Sequence, residues 1–333
     1  LDFGNHITQC VHAKCFYSEY ETDFLCHLDK KELYENDLKG SNVVSIAFDF
    51  RFYPILSLLY LLLFSFRYDK VVFLTGLEYT HGLNRGVCQI LWLLLLLVWG
   101  RKIILYIKNS LFYLDSMFFS LSLFFISSVC FESKYLMARF VDSFNLFDIA
   151  GKCKATYVYY SDVEPRQLIK NSNKIVRVGV VGSLDESRRD YSVLERQFNN
   201  IEFVLVGKST PDIHLLSDKL LGKVVVVQNS YSTEELFKLI STCDILLCLN
   251  RLSRKYGSFK GTGAFADAIA SNRPIIAPLM IDEIKEFQDF SIYFNSNDHL
   301  LEVLKHLNDN GVSSLISDSS FSKFTLDSVR YRK

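Results

Sequence analysis

A lysine, two glycines and a threonine stand together at Lys260-Gly261-Thr262-Gly263, and Asp267 follows about one helical turn later. The run continues Ala268-Ile-Ala-Ser-Asn-Arg-Pro274-Ile-Ile-Ala-Pro278. A small-residue loop thus feeds a helix, and the helix feeds a buried strand. N–H groups at a helix start, without bulky side chains around them, let a diphosphate approach closely, and the helix dipole favours its charge. Lys260 adds a cation at the same end, and Asp267 stands where a carboxylate can accept from ribose hydroxyls. The plain alternative is a glycine turn with a capping threonine and an aspartate that merely suits a helix N-terminus, since short glycine loops are common.

The elements that must position these residues alternate. In the C-terminal half, Ile175–Val181, Ile201–Val206, Lys223–Val227, Asp244–Leu249, Pro274–Ala277 and Ile292–Phe294 read as strands. Helices are expected at Ser192–Phe198, Ser232–Ser241, Gly263–Ala270 and Asp298–Leu307, the second opened by a Ser232/Glu235 capping box. Strands that are apolar throughout, alternating with helices, indicate a parallel sheet covered on both faces. The N-terminal half alternates more roughly, with strands at Asp23–His27, Asn42–Ala47, Lys70–Leu74, Lys102–Ile107, Ser128–Phe131 and Ala155–Tyr160 and helices at Gly86–Trp99 and Leu111–Ile126. The polar stretch Asp162–Asn173 reads as a linker. The expected division is residues 1–165, residues 174–315 and a tail at 316–333. Open parallel sheets bind ligands at the C-terminal ends of their strands, which gives an address and not a reaction.

The chain has 333 residues, 49% of them apolar, and a formal net charge of +0, so two cores are affordable and no nucleic-acid partner is indicated. Eight cysteines, none in a C-x-x-C pair, read as buried thiols in a reducing compartment. Leu1 is not a methionine, so a lost leader stays open. Pro54–Phe66 and Val87–Trp99 are strongly apolar. Each would reach only about 20 Å as a helix, against a hydrocarbon core of about 30 Å. They are expected to be buried helices, or helices dipping into a bilayer surface beside Arg85, Arg101 and Lys102. The chain has no Walker loop, no Gly-x-Ser-x-Gly, no His-Glu-x-x-His and no clear D-x-D metal motif.

Cys243-Asp244-Ile-Leu-Leu-Cys-Leu249, the loop Asn250–Phe259, and Asp267-Ala-Ile-Ala-Ser-Asn-Arg-Pro274-Ile-Ile-Ala follow one another in the order and spacing of the donor half of GT-B glycosyltransferases. They resemble in particular the large retaining family 4. Two positions depart from that family: its ribose-binding Glu is Asp267 here, and its upstream acid falls on Phe259. The resemblance implies an α/β fold of two Rossmann-like domains facing a cleft, with a nucleotide-sugar on the second. It implies that the loop Gly182-Ser183, after the first strand of this domain, approaches the donor phosphates, with Arg188 or Arg189 pairing with them. It also implies that Tyr231 frames the nucleobase. In the first half it places an acceptor-side loop at Phe73–Gly82, where Glu78 or His81 would contact the acceptor or act as base in an inverting enzyme. Gly4-Asn5-His6 is similar to the glycine loop after that half's first strand, in which case little chain precedes Leu1. Each of these has a plain reading as well: solvated loop charges, a surface tyrosine, a capping histidine.

The expected activity is hexosyl transfer from a nucleotide diphosphate donor to a glycan or lipid-linked acceptor, in surface polysaccharide synthesis. No metal or other cofactor is expected. The expected place is the cytoplasm, with the inner face of a membrane as a further candidate partner. The rival readings are a nucleotide-sugar epimerase of the same fold and a non-catalytic GT-B partner subunit.

Overall fold

The computed structural model describes residues 7–28, 31–46, 54–74, 86–156, 175–207, 224–227, 233–251 and 261–316. The chain divides into two compact units. The first comprises residues 1–158, 259–261 and 333, and the second residues 159–258 and 262–332.

In the first unit the strands are β1 (Asp23–His27), β2 (Asn42–Ile46), β3 (Val71–Phe73), β4 (Ile103–Ile107), β5 (Ser128–Phe131) and β6 (Cys153–Ala155). Among the described residues β1 and β2 pair in parallel by themselves, and β3-β4-β5-β6 form a second parallel sheet. The helices are α1 (Ile7–Phe16), α2 (Lys31–Asp37), α3 (Pro54–Ser65), α4 (Gly86–Trp99), α5 (Leu111–Leu114), α6 (Met117–Phe125) and α7 (Lys134–Ser143). One face of the four-stranded sheet carries Phe73, Leu105, Val129 and Phe131 into a core shared with Trp92 and Phe140.

The expected helix over 111–126 is two helices. Ser116 is extended (φ −124°, ψ 109°), and the Ser120 hydroxyl donates to the Tyr113 carbonyl, satisfying an acceptor at the break.

His12 on α1 is 6% exposed, and burial lowers its pKa from 6.5 to about 4. Neutral imidazole is what the fold accepts. Its contribution to stability is complete above pH 6.5 and is lost as pH falls toward 4, because the unfolded chain binds the proton first. At about 1.4 kcal/mol per unit, the loss by pH 4 is about 3 kcal/mol. Chemical denaturation of the parent and of His12→Gln at pH 7 and pH 4.5 checks this. The parent should lose stability over that interval, and the variant should lose less.

In the second unit, β7 (Val176–Val181), β8 (Ile201–Val206), β9 (Val224–Val227), β10 (Ile245–Leu247), β11 (Ile275–Pro278) and β12 (Ser291–Phe294) form a parallel sheet in the order β12-β11-β10-β7-β8-β9. The apolar runs seen in the sequence are buried on both faces, with Val178, Val180, Leu205, Ile245 and Ile276 at the centre. The helices are α8 (Thr233–Ser241), α9 (Gly263–Ser271) and α10 (Asn297–Asn310). The Ser232 of the capping box lies outside the described residues.

The expected helix at Ser192–Phe198 is one short 3-10 turn, Ser192–Glu195. Asp282, fully buried, accepts from the N–H groups of Glu286 (2.9 Å) and Phe287 (3.0 Å) and from the Tyr293 hydroxyl, fixing the loop between β11 and β12. The tail beyond residue 316 lies outside the described residues.

Candidate functional site

β7, β10 and β11 run in parallel, so their C-terminal ends and the start of α9 bring the second unit's candidates to one edge of its sheet. Thr262 is the N-cap of α9: it is extended (φ −119°, ψ 135°) and its hydroxyl accepts from the Ala264 N–H at 3.3 Å. The helix ends on Asn272 in the left-handed conformation (φ 53°), one of the few non-glycine residues that tolerate it. A Cβ built on Gly263 would lie 3.8 Å from Asp267 Oδ2. The Asp267 carboxylate therefore folds back beside the first turn of α9, next to the N–H groups that a helix start leaves without intrahelical acceptors.

Asn250 follows β10 and opens the loop Asn250–Phe259 that the sequence had marked, though without a role for the amide itself. Its Nδ2 donates to Thr262 Oγ1 at 3.2 Å, and its backbone pairs with Arg189 in an antiparallel bridge. The loops after β7 and β10 are laced together there. Asp190 N–H donates to the Leu249 carbonyl (2.9 Å), Arg251 N–H to the Arg188 carbonyl (3.0 Å), and Arg251 Nε to the Glu186 carbonyl (3.2 Å). The signal available in the sequence was only an amide directly after an apolar strand.

Gly182 opens the β7 loop at φ +104°, and its N–H donates to the Val206 carbonyl at 2.8 Å. Gly207 sits beside it at the end of β8, where a Cβ would fall 1.8 Å from the Gly182 carbonyl oxygen. Two strand ends without side chains thus leave backbone open at the same edge as α9. Ser183 and Arg188 are exposed in this loop.

Arg189 differs from its neighbour. It is 9% exposed, and its Nη2 donates to the Val181 carbonyl at 2.5 Å. The sequence reading held the two arginines as alternatives for a phosphate. The structure commits Arg189 to the β7 strand end and leaves Arg188 at the surface.

Gly261, expected in the donor loop, has its N–H engaged within the first unit, where it donates to the Lys108 carbonyl (2.9 Å). Lys108 and Glu132, which follow β4 and β5, pair at 3.6 Å with side chains 14% and 18% exposed. Both were missed in the sequence, where each is a lone charge after an apolar strand. Tyr231, Lys260, Glu78, His81, Gly4, Asn5 and His6 lie outside the described residues.

The first unit also has a half-open pocket of about 760 Å³ on the other face of its four-stranded sheet. Tyr106, Cys130 and Lys154 are in register there, facing Tyr17 of α1. The Tyr17 and Tyr106 hydroxyls lie 3.4 Å apart, Thr156 Oγ1 donates to Cys130 Sγ (3.7 Å), and Tyr68 donates to Asp23. Burial pushes both phenols and the Cys130 thiol up, so these groups stay protonated. Burial likewise pushes Cys243 to about 11 and Cys153 to about 12. Cys130 and Cys243 are buried, in keeping with the reading of the thiols, and Cys153 is half-buried.

Neither a family model nor a curated protein matches the sequence. Solved structures do match. Anabaena Alr3699/HepE, in complex with UDP and glucose, aligns with 99% of this chain and 94% of its own at a TM-score of 0.65 and 12% identity. The apo form of the lipopolysaccharide outer core galactosyltransferase WaaB aligns with 98% of this chain and 92% of its own, at TM-score 0.60 and 12% identity. S. aureus MnaA, solved with UDP, aligns with 95% of this chain and 91% of its own, at TM-score 0.52 and 9% identity. At such identities the likeness speaks to the architecture: two Rossmann-like α/β units in one chain, the fold of the GT-B glycosyltransferases.

Proposed function

We propose that the chain is a hexosyltransferase. It moves a sugar from a nucleotide diphosphate donor to a glycan or lipid-linked acceptor, in surface polysaccharide synthesis on the cytoplasmic side of a membrane. The observation that carries this reading is the start of α9. Its N-cap threonine is held by Asn250, and its first turn is bare at Gly263 with the Asp267 carboxylate behind it. Beside it lie the side-chain-free ends of β7 and β8. A diphosphate suits those N–H groups, and Asp267 suits a ribose hydroxyl. The fold neighbours HepE and MnaA were solved with UDP, so a uridine diphosphate sugar is the first donor class to test.

In the transfer, the bond from the sugar's anomeric carbon to the diphosphate oxygen breaks and a bond to the acceptor oxygen forms. The α9 start, Lys260 and Arg188 stabilise the departing diphosphate. Fixed donors and cations aimed at developing charge supply much of such a barrier reduction, and no divalent ion is needed in this scheme. Glu78 or His81 takes the acceptor's proton if the transfer inverts. Gly4-Asn5-His6 is the further acceptor-side loop, and Tyr231 stacks on the base.

Incubating the protein with uridine diphosphate hexoses, with and without oligosaccharide and lipid-linked acceptors, tests the reading. Free UDP should accumulate with an acceptor and a glycosylated product should appear. A sugar altered without an acceptor would make the chain an epimerase. Nucleotide binding without any release would make it a partner subunit.

A further inference from the structure

The first unit has a gap in its sheet. Among the described residues β1 pairs only with β2, and β3 only with β4, so β1 and β3 each keep one strand edge without a partner. Their starts lie side by side: the Tyr68 hydroxyl, just before β3, donates to the carboxylate of Asp23, the first residue of β1. A tyrosine side chain spans the two there, and no backbone bond does. The half-open pocket reaches into this space. It is lined by Asp23 and Phe24 of β1 and by Val71 and Val72 of β3, with Ala13 of α1 on one side and Phe64 of α3 on the other. Leu25, Val71 and Phe73 pack into the core that α3 and α4 cover, whereas Tyr17, after α1, meets Tyr106 on the opposite face. The space therefore lies in the plane of the sheet, with a helix over each face.

The second unit shows what such a place holds. There the first strand, β7, sits between β8 and β10, in the order β9-β8-β7-β10-β11-β12. The first unit runs β2-β1, then the gap, then β3-β4-β5-β6. Handedness points to the same place. α1 packs against α2, so the two helices cover one face. Connections between parallel strands of one sheet are right-handed. The step β1–α2–β2 leads away from β3, so a strand entering β1 through α1 must lie on the other side of β1, in the gap. The backbone N–H and C=O groups along β1 and β3 there are shielded by a helix on each face, and leaving them unpaired costs free energy that a further strand recovers.

We propose that the gap between β1 and β3 takes one more parallel strand, an extended apolar segment of about five residues in the polypeptide that leads into α1. Its length matches β1, β2 and β4, which have five residues each. It is apolar throughout because the gap has core on one face and Phe24, Val72 and Tyr106 on the other. Paired on both flanks, it joins β1-β2 and β3-β4-β5-β6 into one continuous sheet. The proposal needs no ligand on the second unit and stands apart from the transferase reading.

Amide hydrogen exchange read by mass spectrometry tests it, on the full chain and on a variant with Val-Ile-Val-Ile-Val joined before Leu1. In the parent, the amides of β1 and β3 should exchange faster than those of β4, which is paired on both edges. The joined segment should slow β1 and β3 at least about tenfold and leave β12 of the second unit unchanged. A joined Val-Pro-Val-Pro-Val cannot donate to its neighbours at the prolines and should leave the parent rates. Should the apolar segment aggregate, Val-Thr-Val-Thr-Val replaces it, with the same slowing expected. Rates unchanged by the joined segment, or β1 and β3 amides in the parent already as slow as those of β4, would overturn the proposal. So would slowing by the free Val-Ile-Val-Ile-Val peptide and not by the joined one, because the strand would then come from another chain.

Discussion

Replacing Gly207 by alanine is expected to cost the second unit more than about 4 kcal/mol, a size that single substitutions reach only through gross steric or cavity effects. The new Cβ would sit 1.8 Å from the Gly182 carbonyl oxygen, and that oxygen belongs to backbone that cannot swing aside. Gly182 has φ +104° and is itself committed, with Arg189 Nη2 3.0 Å from where its own Cβ would be. The clash therefore propagates into the β7 loop and removes nucleotide binding together with stability. Gly151→Ala is the control, since nothing lies within 4 Å of a Cβ there. It should stay within about 1 kcal/mol of the parent. Denaturant unfolding of both variants is the measurement. A Gly207→Ala chain as stable as the parent would mean that the two strand ends do not meet as described.

The adjacent arginines should separate cleanly. Arg188→Ala is expected to lower turnover by about 10²-fold with stability unchanged, the usual size for losing one donor aimed at developing charge. Arg189→Ala should instead lower stability by about 2 kcal/mol, because the Val181 carbonyl loses a charge-assisted bond at a buried strand end. Steady-state kinetics beside denaturant unfolding on the two variants checks this. Kinetic loss on Arg189→Ala with Arg188→Ala silent would reverse the assignment.

These two arginines show where sequence reasoning runs out. Adjacent residues of one type in a loop differ only in which way the backbone turns them. That turn is set by the Arg189–Asn250 bridge, a contact between positions far apart in the chain. What the sequence did carry was the second unit's sheet. Strands buried on both faces appear as unbroken apolar runs, so β7, β8 and β11 were legible to within a residue at each end, β10 less closely at its C-terminal end. The start of α9 was legible because a threonine cap before small residues is a local signal.

The first unit was harder to read. The break at Ser116 depends on Ser120 reaching back to Tyr113, and α1 was not foreseen at all. α3 and α4 have little periodicity, so the sequence could not say which of their sides faces the core. Their outer stripes became visible only with the burial of Leu58, Leu61, Trp92 and Leu95 known. The close approach of Gly207 to Gly182 was hidden for the same reason as the arginine bridge. A glycine closing a strand is visible in sequence, but its neighbour across the sheet is not.

The central claim is that the second unit grips a nucleoside diphosphate at the start of α9. Calorimetric titration of the full chain with uridine, guanosine, adenosine and cytidine diphosphates, repeated on Lys260→Ala and Asp267→Ala, tests it most directly. The account predicts saturable one-to-one binding of one preferred diphosphate. Each variant should weaken it at least about tenfold, the loss of one charge-assisted contact, with the circular dichroism spectrum unchanged. Absence of binding by all four, or affinity unchanged in both variants, would contradict it.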